Sequence, residues 1–205
     1  MVIENLFATK IWKRNISLDD DIRKNILEQI EQNYQKHKKY TSEWDCNVHS
    51  SCRGNNDIDY SDVVPILARE YQKFSISVGM EQHQYFFENL WYNYYVRGSN
   101  QEYHTHLSDS SLYSAVYFLK YDKEVHPPLT FYNQSNTYLY YSGKESTKRL
   151  YSHTNIEHSN MFGSYNLEAS EGDFVIFPSS LPHGVFIQTS DEPRITISLN
   201  ISLQN

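Results

Sequence analysis

The sequence has little of the features that mark several large protein classes. It contains only two cysteines, Cys46 and Cys52, which stand six positions apart in a polar stretch. That spacing matches neither a zinc-ribbon pair nor a disulfide framework, so we expect two thiols in a reducing compartment. No apolar run reaches the length that spans a bilayer, and the N-terminus lacks the continuous apolar core of a secretion signal. These absences predict a cytoplasmic protein with no membrane partner.

Basic charge is also scarce. Lysine and arginine total 18 against 25 acidic residues, which gives a formal net charge of −7. Nucleic-acid-binding surfaces are usually basic, so we expect no nucleic-acid partner. Aromatic residues, by contrast, reach 15 %, with 18 tyrosines, a composition suited to a β-rich protein. The length predicts a single domain over residues 1–205, with an N-terminal strand and helical support in 1–84 and a β core in 85–205 that carries the site.

The N-terminal part of the chain predicts a short strand near residues 5–12 and two helices. The first helix is expected over 19–36, where Ile22, Ile26 and Ile30 form an apolar stripe. The second is expected over 61–77, with Pro65 in its first turn, where proline is tolerated. We expect both helices to pack on the outside of the β core.

From about residue 86 the sequence changes to aromatic and β-branched runs separated by turn residues, a pattern typical of a sandwich or barrel. Strands are predicted near 87–97, 112–121, 128–132, 136–141, 149–152, 161–168, 173–177, 184–188 and 194–203, with a long loop or insertion over 142–160. In the last strand the odd positions from Ile195 to Leu203 are aliphatic and the even positions are polar. Such a polar face either meets solvent or lines a cavity.

Three histidines form the strongest chemical pattern. Side chains two apart on a strand share one face, so His104 and His106 project into the same space if this segment is extended. Imidazole suits iron, copper, zinc and nickel, and His183, just after Pro182, is the natural third ligand from a later strand. The pattern predicts a metal-dependent enzyme. The other histidines have no such partners and are predicted to be surface residues: His37, His49, His83, His126, His153 and His158.

Arg194 suggests an anionic co-ligand for this metal. A hairpin that pairs 184–188 with the strand from Arg194 onward would set His183 near position 198, about 13 Å from Arg194 along the ladder. A five-carbon dicarboxylate chelated at the metal could span that gap and meet the guanidinium, so the spacing fits 2-oxoglutarate. The alternative is a surface ion pair between Arg194 and Asp191 or Glu192.

Two longer runs resemble a known family. They are Trp91-Tyr-Asn93, Gly98, His104-Thr-His106 and Ser114-Ala-Val-Tyr-Phe-Leu119, then Gly172-Asp-Phe-Val-Ile-Phe-Pro178, His183 and Arg194-Ile-Thr-Ile-Ser-Leu-Asn200. Over about residues 85–203 the chain resembles the 2-oxoglutarate/Fe(II)-dependent oxygenases, especially a small bacterial and phage-type subgroup.

The resemblance implies a mainly β fold, the double-stranded β-helix or cupin-like jelly-roll. It also implies Fe(II) at His104 and His183, and 2-oxoglutarate held by Arg194 with help from Thr196 or Ser198. The other reactants would be O2 and a small-molecule or protein side-chain substrate.

The sequence departs from the family at one ligand. The broader family uses two histidines and a carboxylate written H-x-D or H-x-E, whereas this chain has His106 at the carboxylate position. Three interpretations follow: a three-histidine centre, Asp109 as the carboxylate, or a non-catalytic relic. We favour His106, because its position two residues after His104 lies on the correct face and that of Asp109 does not. Asn93, which alternates with Trp91 and Tyr95, is a further candidate beside the co-substrate.

The favoured hypothesis is an iron(II)- and 2-oxoglutarate-dependent dioxygenase, most simply a hydroxylase. One alternative is a three-histidine cupin-type enzyme that does not use 2-oxoglutarate. Another is a catalytically silent jelly-roll that binds a carbohydrate or partner. Homodimerisation through the N-terminal helices is compatible with each hypothesis, although no exposed heptad supports it.

Overall fold

The computed structural model describes residues 9–37, 46–54, 56–107, 111–133 and 163–203. Within them lie two α-helices and ten strands, with a short 3-10 turn at Ser51–Arg53. In chain order the elements are β1 (Trp12–Asn15), α1 (Asp20–His37), β2 (His49–Ser50), α2 (Val64–Ser77), β3 (Tyr85–Tyr95), β4 (Gln101–His104), β5 (Ser111–Lys120), β6 (Leu129–Tyr132), β7 (Ser164–Asn166), β8 (Asp173–Pro178), β9 (His183–Val185) and β10 (Arg194–Leu203).

The strands form two antiparallel sheets. The major sheet has six strands in the order β1-β8-β5-β10-β3-β2, and the minor sheet has four in the order β4-β9-β6-β7. The longest strands of the major sheet are β5, β10 and β3, which are adjacent and have ten or eleven residues each. The minor sheet is built from strands of only three or four residues. The predicted mainly β, double-stranded β-helix fold is confirmed.

The two faces of the major sheet bury different side chains. On one face, the aliphatic residues Ile195 to Ile201 of β10 pack with Ile26 and Ile30 of α1 and with Leu67 of α2. The helices therefore lie outside the β core, as their apolar stripes predict. On the other face, the core between the sheets is largely aromatic and β-branched: Tyr95, Val116, Phe118, Phe131, Val175, Phe177 and Val185. The even positions of β10 share this inner space, so its polar face lines a cavity.

Several predicted boundaries need correction. The strand expected near 5–12 is found at Trp12–Asn15, where it pairs with β8, and residues 9–11 are not strand. The second helix begins at Val64 rather than at residue 61, because Pro65 occupies its first turn and the preceding residues form a turn. Strand 194–203 is confirmed as predicted. The strands predicted at 136–141 and 149–152, and the loop at 142–160, lie outside the described residues.

The predicted hairpin between 184–188 and Arg194 onward is wrong. β9 ends at Val185 and pairs with β4 and β6 in the minor sheet, whereas β10 pairs with β3 and β5 in the major sheet. His183 and the polar face of β10 therefore meet across the interior rather than along a ladder. None of the helices within the described residues is both long and apolar enough to cross a lipid bilayer.

Candidate metal and co-substrate site

A small cavity lies between the two sheets. Its lining includes three histidines, two of them on strands of the minor sheet, and a buried arginine on β10 of the major sheet. The residues concerned are Trp91, Asn93, Tyr95, Gln101, His104, His106, Ser114, Phe177, His183, Arg194, Thr196 and Ser198. All of the predicted site residues within the described part of the chain therefore line one space.

The three histidines come together as a possible ligand set. One nitrogen from each of His104, His106 and His183 lies within 4.8 Å of the other two. The Nε2 atoms of His104 and His106 are 3.2 Å apart. Two imidazole nitrogens bound at right angles to one ion at about 2.1 Å would be about 3 Å apart. The donor set and its spacing therefore fit a divalent transition metal.

Two of the rings are fixed by their own backbone. Nδ1 of His104 lies 2.8 Å from the Glu102 carbonyl oxygen, and Nδ1 of His183 lies 2.9 Å from the Leu181 carbonyl oxygen. A carbonyl only accepts, so in each ring Nδ1 carries the proton and donates it. The lone pair is then on Nε2, which in His104 is the atom that lies beside His106. This arrangement selects the tautomer and the ring orientation that a metal requires.

His106 is held in a different way. β4 ends at His104, so residues 104–106 do not form the continuous strand that the sequence suggested. The His106 backbone N–H instead donates to the Ser179 carbonyl at 3.0 Å, just beyond β8. Its ring packs against Trp91, with centroids 5.6 Å apart, and lies nearly parallel to the His183 ring. The position of His106 therefore depends on a backbone hydrogen bond to the segment that follows β8.

The environment keeps two of these imidazoles neutral. Burial, and secondarily the neighbouring His104, lower the pKa of His106 from 6.5 to about 4. Burial also lowers the pKa of His183 well below its ordinary value, and the adjacent His104 and His106 rings act in the same direction. Neutral imidazole is the form that binds a metal.

A bulge in β4 allows the close approach of β4 and β9. Gln101 pairs with Val185 and His104 with His183, so three steps on β4 match two steps on β9. A Cβ atom at Gly184 would meet the carbonyl oxygens of Gln101 and Glu102 at 3.0 Å. Only glycine leaves room for the bulged backbone here. The same bulge presents the Glu102 carbonyl to His104.

Arg194 occupies another part of the cavity wall. It is only 1 % exposed, and its Nε and Nη1 atoms have no hydrogen-bond partner among the described residues. Its guanidinium carbon lies 4.6 Å from the Tyr95 ring centroid, with the Phe118 and Tyr121 rings at 5.4 and 5.5 Å. Burial lowers the pKa of Arg194, yet a guanidinium stays charged at neutral pH. A buried cation with unused donors is suited to an anionic ligand.

The alternative interpretation of Arg194, a surface ion pair with Asp191 or Glu192, is wrong. Asp191 instead accepts from Nε and Nη2 of Arg97, at 2.6 and 2.8 Å, on the exposed surface. The Glu192 backbone carbonyl accepts from the Gln188 side chain at 2.7 Å. Arg194 is left facing the cavity.

Polar side chains connect the two parts of the cavity. Thr196 and Ser198 follow Arg194 on the inner face of β10, and both are buried. The Asn93 side-chain amide donates to Ser198 Oγ at 3.2 Å, while its Oδ1 has no partner among the described residues. Asn93 is directly opposite Thr196 in the strand pairing, which places it where the sequence pattern predicted. These groups can orient a polar ligand that reaches Arg194.

Other sequence predictions for the site have different outcomes. Asp109, the alternative ligand, lies outside the described residues, as do His153 and His158. His49 and His126 were expected at the surface, but both are buried. The reason is that each bonds within a small polar cluster: His49 Nε2 lies 3.0 Å from the Tyr92 hydroxyl, and His126 Nδ1 accepts from the Asp122 backbone N–H at 2.9 Å.

Gln101 is a polar cavity residue that sequence reasoning missed. Gln101 accepts a hydrogen bond from the Tyr95 hydroxyl at 2.7 Å and so joins β4 to β3 near Arg194. Burial raises the pKa of Tyr95 to about 12, so this hydroxyl keeps its proton and donates. The only sequence signal was the spacing of Gln101 three residues before His104, which does not reveal a bulge.

Comparison with known proteins decides the family. A model of the family described as "Putative 2OG-Fe(II) oxygenase" matches residues 89–200, more than half of the chain. The chain belongs to this family. It is therefore a 2-oxoglutarate-dependent iron(II) oxygenase, and its cofactors are Fe(II) and 2-oxoglutarate, with O2 as the second co-substrate. No curated protein sequence matches the chain.

Solved structures share the fold of this oxygenase at low sequence identity. A prolyl-4-hydroxylase from Pseudomonas putida has 14 % identity and a TM-score of 0.60, with 96 % of this chain and 94 % of that chain covered. A viral collagen prolyl hydroxylase from Paramecium bursaria Chlorella virus-1 has 13 % identity and a TM-score of 0.55, with coverage of 95 % and 96 %. HygX from Streptomyces hygroscopicus, solved with nickel and 2-oxoglutarate, has 9 % identity and a TM-score of 0.54, with coverage of 95 % and 83 %.

Proposed function

We propose that this oxygenase is a hydroxylase whose iron is held by His104, His106 and His183. The observation that carries the proposal is the single cavity in which three histidine nitrogens face one another and a buried arginine faces the same space. The neutral rings of His106 and His183 and the fixed tautomers of His104 and His183 support this ligand set. A three-histidine cupin without 2-oxoglutarate would leave the buried cation of Arg194 without a ligand.

We propose that 2-oxoglutarate binds with its distal carboxylate at Arg194. The guanidinium offers charge-assisted donors, and Thr196, Ser198 and Asn93 line the path between Arg194 and the histidines. The rings of Tyr95, Phe118 and Tyr121 exclude water around the guanidinium, which strengthens its attraction for a carboxylate.

The iron, when bound, supplies O2 activation coupled to oxidative decarboxylation of 2-oxoglutarate, chemistry that belongs to the cofactor. The chain supplies the geometry for it. Gly184 and the β4 bulge bring His104 beside His183, the Ser179 carbonyl holds the backbone of His106, and Trp91 packs on the His106 ring. These contacts fix the positions of the three histidines before the metal binds. A metal site needs this form of preorganisation.

We also propose that the chain is a single domain, that it acts in the cytoplasm and that its substrate is not a nucleic acid. One apolar cluster joins the helices to β10, which supports a single domain over residues 1–205. Cys46 and Cys52 are both thiols, which supports the cytoplasm. The acidic net charge supports a small-molecule or protein side-chain substrate rather than nucleic acid.

The deciding experiment adds 2-oxoglutarate anaerobically to the iron(II)-loaded protein and records the visible spectrum. We expect a weak charge-transfer band that is lost in His106→Ala, restored at least in part in His106→Asp, and unchanged in Asp109→Ala. The rescue is expected because a carboxylate at position 106 recreates the ligand set of the broader family. Iron binding without a band in the wild type would contradict the co-substrate assignment. Loss of the band in Asp109→Ala alone would make Asp109 the third ligand.

A further inference from the structure

The connection between β8 and β9, residues 179–182, holds two of the proposed iron ligands. The Ser179 carbonyl accepts from the His106 backbone N–H at 3.0 Å, and the Leu181 carbonyl accepts from His183 Nδ1 at 2.9 Å. Because both bonds end on this one short segment, a displacement of the segment would displace both histidines. The contacts that anchor it to the sheets therefore matter for the metal site.

The side chain of Ser179 is bound to Ser114, a residue of β5 that lines the cavity. The two Oγ atoms are 3.0 Å apart, and Ser114 Oγ donates to Asn200 Oδ1 at 2.9 Å. A hydroxyl has one proton, so Ser114, which donates its proton to Asn200, accepts from Ser179. Hydrogen bonds of one direction therefore run from Ser179 through Ser114 to Asn200.

Ser114 is itself fixed by strand pairing. β5 is paired on both sides, and Ser114 is opposite Phe177 of β8 and Asn200 of β10. Both Ser114 and Ser179 are buried, so bulk water competes little for their hydrogen bonds. The Ser179 backbone N–H also donates to the Leu112 carbonyl of β5 at 3.1 Å. Ser179 is thus tied to β5 by its backbone and by its side chain.

His106 depends on this connection more than the other two histidines do. His104 ends β4 and His183 begins β9, and these two residues pair with each other, so strand pairing also fixes them. His106 lies beyond the end of β4, and its backbone is held by the Ser179 carbonyl. A shift of Ser179 should therefore displace His106 before it displaces the other two rings.

We propose that Ser114 is a positioning residue of the iron site. Its hydroxyl fixes Ser179, and the Ser179 carbonyl in turn fixes His106. This keeps the His106 ring where it can share one ion with the other two imidazoles. The inference rests on the proposed function, because it takes His106 as an iron ligand. Removal of the Ser114 hydroxyl breaks both of its hydrogen bonds and loosens His106 without altering any ligand.

The first measurement is the affinity of the metal-free protein for Co(II), by calorimetry. Loss of a residue that directly supports a metal ligand lowers affinity about 10–100-fold, and Ser114 acts one residue further away, so Ser114→Ala should weaken binding about five- to tenfold. Ser114→Thr retains the hydroxyl and its hydrogen bonds and should stay within about twofold of the wild type.

The second measurement is hydrogen exchange of the His106 backbone amide, followed by NMR in the metal-free protein. Exchange requires opening of the bond to the Ser179 carbonyl. Ser114→Ala should accelerate it about two- to tenfold, the effect of about one neutral hydrogen bond. This measurement reports on the position of His106 without any metal.

Ser75→Ala is the matched control. Ser75 is a buried serine of α2, outside the cavity, and its hydroxyl donates to the Gln72 carbonyl at 2.9 Å. This variant also loses a hydrogen bond and some stability. It should nevertheless keep the wild-type Co(II) affinity and the wild-type exchange rate of the His106 amide.

Unchanged Co(II) affinity in Ser114→Ala, or weakened affinity with unchanged exchange at His106, would overturn the inference. An equal loss of affinity in Ser75→Ala would also overturn it, since the effect would then be one of stability alone. His106→Ala is titrated in parallel. If it binds Co(II) as tightly as the wild type, the proposed ligand set fails, while the exchange data decide separately whether Ser114 holds the backbone of His106.

Discussion

The two sheets position their functional groups by different physical means. In the minor sheet, strands of three or four residues carry His104 and His183, and each ring is fixed by a carbonyl two residues before it. In the major sheet, a ten-residue strand paired on both sides carries Arg194, Thr196 and Ser198 in strict alternation. The proposed metal side, with the three histidines, therefore depends on local contacts, and the proposed co-substrate side, with Arg194, depends on long-range strand pairing. Substitutions on the two sides should have separable effects.

The largest expected effect is on the metal side. His183→Ala removes a proposed iron ligand that is 3 % exposed and packed against Phe177. Because loss of a mere supporting contact to a metal ligand costs about 10–100-fold, loss of the ligand itself should lower turnover by at least about 100-fold. Iron retained after anaerobic loading and desalting should fall close to zero. His49→Ala is the control: it removes another buried histidine, lowers stability and leaves iron content unchanged. Full iron retention in His183→Ala would contradict the assignment.

The next effect belongs to the co-substrate side. Arg194→Met keeps much of the side-chain volume but removes the buried charge, so iron content should be unchanged while the KM for 2-oxoglutarate rises. Charged hydrogen bonds contribute about 1.5–3 kcal/mol, which predicts a rise of about 10–100-fold. Arg97→Met, which removes an arginine from an exposed pair with Asp191, should leave this KM unchanged. If Arg194→Met also lost iron, the metal side and the co-substrate side could not be perturbed independently.

Substitutions at two glycines, Gly184 and Gly79, can distinguish displacement of the proposed metal ligands from general loss of stability. Gly184→Ala places a Cβ atom 3.0 Å from two carbonyl oxygens of β4, so β4 and β9 must move apart. Overpacking of this kind costs about 1–3 kcal/mol, and displaced ligands should weaken iron binding about tenfold or more. Gly79→Ala meets no atom within 4 Å, but its φ of +75° costs about 1–2 kcal/mol. Chemical denaturation should show a comparable loss of stability in the two variants. Iron titration should show weakened binding only in Gly184→Ala.

The sequence was sufficient where function follows strand alternation. The odd and even positions of β10 have opposite chemistry, and this alone predicted a strand over 194–203 whose polar face either meets solvent or lines a cavity. The structure shows that Arg194, Thr196 and Ser198 line a cavity. Strand alternation also suggested Asn93, whereas Thr196 and Ser198 were implied by the family resemblance. The histidine pattern predicted a metal and the spacing of Arg194 fitted 2-oxoglutarate. The family resemblance specified iron(II), and the model of that family matches residues 89–200.

The sequence was insufficient where position depends on contacts between distant segments. The partner of β9 could not be read from the turn before Arg194, since β9 pairs with β4, some 80 residues earlier in the chain. β3 has a bulge at Asn89, where φ is positive and the register with β10 shifts. This bulge and the one in β4 leave no periodic signal, because each breaks the alternation on which such predictions depend. The buried His49 and His126 were missed for a related reason: their hydrogen-bond partners belong to other elements or to tight turns.

The smallest expected effect compares the two faces of one strand. Ser198→Ala removes the hydroxyl that accepts from Asn93 and lines the cavity, without changing the apolar core. The loss of one neutral hydrogen bond, worth about 0.5–1.5 kcal/mol, predicts a KM for 2-oxoglutarate raised by about two- to tenfold. Ile197→Val, one residue earlier, removes a methylene from the helix-facing core and should cost about 0.5–1.5 kcal/mol of stability. Initial rates and denaturation curves measured on both variants should therefore give opposite patterns, with KM changed only in Ser198→Ala and stability lowered mainly in Ile197→Val. A raised KM in Ile197→Val would mean that packing against the helices also sets the cavity, and that the inner face of β10 does not act alone.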